Sequence, residues 1–136
     1  MSRKSGRDDT GRTIPWTKTI LGQPHSKANS RKLVVIKGKR RFIKSEEALG
    51  YLTAFAAQCP VLDPMFLRDV HVELEIFYTS RLPDLDESLI LDALQMRVYR
   101  NDRQVRKKTV IWGLDPQRPR AVIRVSLVEG SDRAER

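Results

Sequence analysis

Cysteine and histidine are nearly missing from this chain, which has one Cys and two His among 136 residues. Cys59 therefore has no internal disulfide partner, and with His25 and His71 it falls short of a zinc-binding pattern. It reads instead as a small core residue at a helix end, and both histidines read as structural. Two histidines without a motif around them support no Ser-His-Asp arrangement, and no glycine loop of the phosphate-binding type is present. Long apolar runs are also lacking: none approaches the roughly 20 residues that span a bilayer. The opening MSRKSGRDDTGR is basic and polar with no apolar stretch behind it, unlike a secretory signal or an anchor. There is no internal repeat. These absences leave the expectation of an intracellular protein of one domain, with no membrane partner and no small-molecule cofactor.

Positive charge is what the chain has in excess. The formal net charge is +9, and it is unevenly placed. Residues 1–44 hold 13 of the 26 Lys and Arg but only Asp8 and Asp9 among the acids, a local balance of +11 against −2 for the remainder. A basic N-terminal third followed by a mildly acidic body points to a polyanionic partner. The ordinary alternative is a solvated basic face with scattered surface acids.

Hydrophobic periodicity supplies the elements. Residues 1–12 have nothing to bury and read as a flexible basic tail, residues 13–130 as one domain, and residues 131–136 as a flexible C-terminus. Thr13 to Ile20 reads as a first strand, ended by Gly22 and Pro24. Leu33–Ile36 and Arg41–Ile43 read as a hairpin turning at Gly38. Ser45 is placed to cap a helix with Glu46 and Glu47 in its first turn. That helix is expected to carry Leu49, Leu52, Phe55 and Ala56 inward and to stop near Cys59 and Pro60. Val70 to Tyr78 alternates cleanly and is the clearest strand. A second helix is predicted within DLDESLILDALQMRVY, where Leu85, Leu89, Asp92 and Met96 share helical spacing. Strands at Val105–Trp112 and Ala121–Val128 complete an α+β domain, a mixed β-sheet with two main helices packed against it.

The chemistry concentrates in RLPDLDESLILDALQMRVYRNDRQV, residues 81–105. Asp84 and Asp86 are two residues apart, so on an extended chain both carboxylates project to one side. Such a pair suits magnesium, which takes oxygen ligands in octahedral geometry and completes its shell with water and substrate phosphate. A helix of about 10 residues spans only about 15 Å, so the turn after it can bring Asp102 back towards the pair. On spacing alone the pair is equally a turn residue, Asp84, followed by a helix N-cap, Asp86.

The run DLD, a helix containing DAL, and a turn with ND immediately before QV resemble the RusA-type Holliday-junction resolvases, whose signature is DLDNLxK, DAL and DDxQV. PHSKANSRKL and FIKSEEALGY resemble, less sharply, the basic loop and first long helix of that family, so the likeness covers roughly residues 15–127. The resemblance implies a homodimeric, cytoplasmic and nucleoid-associated endonuclease that resolves four-way DNA junctions with paired nicks. Its cofactor would be magnesium, with manganese as a substitute, held by Asp84, Asp86 and Asp102. Asp92, matching the DAL aspartate, would be supportive.

Two departures stand out. The segment between Asp86 and Asp92 is about a half-turn shorter than the family pattern, and the lysine that follows DLD is replaced by the Leu89–Ile90 region. Lys107 and Lys108, just past the QV, can supply the missing cation. Glu87 stands where the family has Asn and reads either as a further ligand or, preferably, as a first-turn residue. The basic residues Lys27, Arg31, Lys32, Lys37, Lys39, Arg40, Arg41 and Lys44 suit phosphate contacts that hold DNA without reading its sequence. Phe42 and Trp16 are candidates for stacking at an open junction, although a lone aromatic in a strand is more often core. The missing lysine keeps open a non-catalytic nucleic-acid-binding protein of the same fold.

Overall fold

The computed structural model describes residues 11–25 and 31–128. Residues 1–10 of the expected tail 1–12, the whole expected C-terminus 131–136, and Lys27 in the basic loop lie outside these. Six strands and two helices follow in the order β1 (Trp16–Leu21), β2 (Arg31–Ile36), β3 (Lys39–Lys44), α1 (Glu46–Gln58), β4 (Val70–Tyr78), α2 (Ser88–Leu94), β5 (Val105–Leu114) and β6 (Arg120–Leu127). A short 3-10 turn, Asp102–Gln104, precedes β5. The α+β class with a mixed sheet and two helices is as the periodicity predicts.

The main sheet has the order β1-β6-β4-β5, and β2 and β3 form a separate two-stranded hairpin. β1 and β4 each run antiparallel to β6, whereas β4 and β5 are parallel. Parallel neighbours cannot be joined by a tight turn, so the chain must cross over between them. That crossover, residues 79–104, is the segment that carries the DLD, DAL and NDRQV motifs.

Alternation builds the core. In β4, Val70, Val72, Leu74, Ile76 and Tyr78 are buried and the residues between them are half-buried. Ile20, Ala121, Ile123 and Val125 extend that inner face across β1 and β6. On the outer face, the Phe77 ring lies where a Cβ on Gly113 would sit, only 2.6 Å from it. The Arg120 guanidinium covers the same ring at 3.9 Å.

Helix α1 starts as predicted. The Ser45 hydroxyl accepts from the Ala48 N–H at 3.2 Å, and Cys59 ends the helix by donating its N–H to Phe55 O. Gln58 fastens the helix to β1, accepting from Leu21 N at 2.7 Å and donating to Leu21 O at 3.0 Å. The buried stripe is Ala48, Tyr51 and Phe55, so of the expected Leu49, Leu52, Phe55 and Ala56 only Phe55 is fully buried and the other three are one residue out of phase. Leu49 is 52% exposed, while Leu52 and Ala56 are half-buried. Two apolar stripes compete on this helix, and the one with the aromatic rings is inside, where a ring removes more apolar area from water. Trp16 is also core.

Helix α2 is shorter than predicted. Leu85 precedes it and Met96 follows it, and both side chains are exposed, so the grouping of Leu85, Leu89, Asp92 and Met96 on one helical face is wrong. The helix ends because Met96 takes a positive φ of 66° and donates its N–H to Tyr99 O at 2.7 Å. Leu89, Ile90 and Leu94 remain its buried face.

The hairpin turn uses Lys37 and Gly38, both at positive φ (53° and 78°), the geometry that matches the twist of its strands. Gly11 and Arg12, at the end of the segment read as a tail, lie against the body, with Arg12 N donating to Met65 O at 2.9 Å.

Candidate active site

The crossover begins at the end of β4, where the Tyr78 hydroxyl accepts from the Asp86 backbone N–H at 3.2 Å. One Asp86 carboxylate oxygen accepts from both Ser88 N (2.9 Å) and Ser88 Oγ (2.6 Å). Asp86 thus closes the first turn of α2, while Glu87, at the formal cap position, makes no side-chain cap bond. Of the two readings of Asp86, the capping one is realised, and it leaves the second carboxylate oxygen outside that pair of bonds. Asp84 is exposed and Asp86 half-buried. Burial raises the pKa of the Tyr78 hydroxyl; the Asp86 N–H bond opposes this, and the charges of Asp86, Glu87 and Asp84 reinforce it.

Glu87 is paired with Lys108 of β5. The register places Lys108 opposite Val72, on the helix-covered face, and Lys107 opposite His71, on the outer face. Of the two lysines offered as replacements for the family cation, Lys108 is the one that reaches the start of α2. It does so as the partner of Glu87, which identifies Glu87 as an ion-pair residue at the head of the helix.

Asp102 belongs to the other end of α2. Its N–H donates to Gln95 Oε1 at 3.0 Å, immediately past the last helical residue. It lines a cleft of about 300 Å³ with Leu91, Val105, Arg106, Lys107 and Lys108. Burial raises the pKa of Tyr99, and the charges of Asp102 and Asp92 add to it. Among the described residues, no three His, Cys, Asp or Glu side chains gather closely enough to hold a metal ion. Asp84 and Asp86 share the loop between β4 and α2, and Asp102 lies in the 3-10 turn before β5.

Asp92 faces the hairpin, with its carboxylate 3.9 Å from Lys44 Nζ. Lys32, Lys37, Lys39, Arg40, Arg41 and Lys44 are all exposed, and Arg31 is paired through its backbone with Lys44.

Sequence reasoning missed the residues that hold this site in place. Gln104 accepts from Arg100 N and Asn101 N, both at 2.9 Å, and donates to Phe66 O (2.9 Å) and Arg68 O (3.0 Å). Asn101 caps the 3-10 turn, accepting from Arg103 N at 2.8 Å. The signal was present as Asn followed three residues later by Gln, a capping-box spacing.

No protein-family model matches the chain, and no curated protein matches it.

Proposed function

We propose that this chain is a magnesium-dependent endonuclease that nicks branched DNA, working as a homodimer on four-way junctions in the manner of the RusA family. The observation that carries this reading is the DLD pair, set just beyond β4 with Asp84 exposed, on a crossover linked through Asp92 and Lys44 to a hairpin whose charged residues are all basic. Magnesium is commonly bound by one or two carboxylates with phosphate oxygens and water completing the shell. Asp84 and Asp86 offer that hard-oxygen pair, so they suit the ion, whereas a cage that includes Asp102 is not assembled. Bound there, the ion would supply Lewis-acid polarisation of the phosphate and a more acidic water. Within the proposal, Ser88 fixes the Asp86 carboxylate, Lys108 keeps Glu87 neutralised, and the cleft cations Arg106 and Lys107 attract phosphate. Manganese would serve as a substitute ion. The basic residues of the hairpin position DNA, and a cytoplasmic, nucleoid-associated location follows from that partner. No helix among the described residues is long and apolar enough to cross a membrane.

The missing family lysine, whose candidate stand-in Lys108 is paired with Glu87, favours a second reading, a nucleic-acid-binding protein whose site does not cut. Nicking of a four-way junction in magnesium, measured beside gel-shift binding in chelator, separates the two. Asp84→Asn and Asp86→Asn are each expected to abolish nicking and keep binding, whereas Asp102→Asn, outside the proposed ligand pair, is expected to keep both. Asparagine retains the oxygen that Ser88 requires at position 86 but not the charge that holds a divalent ion. Near wild-type nicking by Asp86→Asn would overturn the site, and an inactive parent chain that still binds junctions would establish the second reading. A light-scattering mass of one chain during full activity would remove the homodimer.

A further inference from the structure

The hairpin β2–β3 leaves apolar side chains in water. Leu33, Val35 and Phe42 are 46, 68 and 72% exposed. Leu33 pairs with Phe42 and Val35 with Arg40, so these residues share one face of the ribbon. All nine aromatic residues lie among the described ones, and Phe42 is the only exposed one of them. Trp16, the other stacking candidate in the sequence, is buried and is thereby removed.

What surrounds this face decides what covers it. Between Asp9 and Glu46 the chain has no acid; the exposed Arg40 and Lys44 share the face of Leu33, Val35 and Phe42, Lys37 sits in the turn, and the exposed Lys32, Lys39 and Arg41 lie on the other face of the ribbon. A partner must therefore offer flat apolar surface bordered by dense negative charge. Unstacked nucleobases attached to phosphates are of that kind, since every base has a π-face and aromatic side chains serve as platforms for it. In an intact duplex those faces are occupied by neighbouring bases, and a side chain enters only by opening a step.

We propose that Phe42 is a base-stacking residue that engages exposed bases at branch points and single-stranded segments, while Arg40 and Lys44, two residues to either side of it on the same face, hold the flanking phosphates. The proposal rests on the reading of the partner as nucleic acid but not on cleavage. Phe42 makes this hairpin selective for DNA structure rather than for charge alone.

The test uses the full chain and Phe42→Ala, Phe42→Leu and Phe42→Trp. Leucine keeps an apolar contact across from Leu33 but has no ring, and tryptophan keeps a ring. Binding is measured in chelator to a four-way junction, a single strand and a linear duplex, with 2-aminopurine at the branch as a stacking reporter. Phe42→Ala and Phe42→Leu are expected to lose about tenfold in affinity for junction and single strand. Duplex affinity should stay unchanged, and the fluorescence change at the branch should disappear. Phe42→Trp should behave as the parent chain. Parent-like junction binding by Phe42→Leu, or an equal loss on all three DNAs, would overturn the proposal. So would release of Phe42→Ala from phosphatidylglycerol vesicles with every DNA affinity intact, which would make the face a lipid contact. A parent chain that binds no nucleic acid overturns both readings. One that shows ring-dependent junction binding but never nicks overturns cleavage alone.

Discussion

The phenol of Tyr78, the last residue of β4, accepts the backbone N–H of Asp86 and so hangs the DLD segment from the sheet. Tyr78 is buried and its ring stacks on Trp112 at 6.3 Å between centroids. The carboxylates thus inherit the rigidity of a strand although they sit on a loop. Tyr78→Phe keeps the ring and orphans the N–H, a loss of about 1 kcal/mol. We expect a melting temperature lower by several degrees and slower nicking, with junction affinity retained. Parent-like melting and nicking would show that the bond does not position the pair.

Gln104 is the second anchor. Its amide serves four backbone groups on two separate segments, Phe66–Arg68 and Arg100–Asn101. Gln104→Leu fills similar space and leaves all four without that partner; water recovers some, so the cost should be about 2 kcal/mol. The urea midpoint should fall while the slope of the transition stays constant. Gln104→Glu should also destabilise, because it sets a carboxylate against two carbonyl oxygens.

This anchor shows where the sequence was legible and where it was not. The strand Val70–Tyr78, the Ser45 cap and the Gly38 turn follow from local rules: a period of two, a hydroxyl that accepts an N–H, and a residue free to adopt positive φ. The end of α2 does not. Met96 reverses the chain at positive φ without glycine or asparagine to announce it, held by a bond to Tyr99 O that exists only once the core around Tyr99 has formed. The phase of α1 was likewise settled by packing, since Leu49 and Ala48 suit a helix equally and differ only in what lies opposite. For the site, the proximity of Asp84 and Asp86 was legible because it is local. The position of Asp102 depends on the length of α2, which was not.

The hairpin makes a prediction in salt. Lys39→Ala, Arg40→Ala and Arg41→Ala should each flatten the slope of log affinity against log salt by about 1, because each lost phosphate contact retains a counterion. Nicking at saturating enzyme should be unaffected. Unchanged slopes for all three would mark the ribbon as a solvated face with no phosphate on it.

The tyrosines predict an alkaline limit. The chain has three, and burial is the leading cause that raises the pKa of each of Tyr51, Tyr78 and Tyr99 above the ordinary 10.0. A raised native pKa means that the folded state keeps protons which the unfolded state releases, so stability is intact below pH 10 and falls as pH rises beyond it. Phenolate absorbance should therefore stay low through pH 10 and then appear in one step with the loss of circular dichroism. A gradual titration centred near 10 in the folded chain would contradict the burial of these rings.

Strand β5 has β4 on one side and, among the described residues, no strand on the other. Ten residues is long for an unprotected edge, and such edges invite the same strand of another molecule to add to the sheet. Arg106, Lys107 and Lys108 guard its first half by mutual repulsion, but Ile111–Trp112–Gly113–Leu114 carries no charge, and Ile111 and Leu114 are exposed. The cations that line the cleft beside Asp102 are therefore also a guard of this edge against strand addition. A polyanion that titrates them without covering the rest of β5 removes the electrostatic guard from a ready-made template for aggregation.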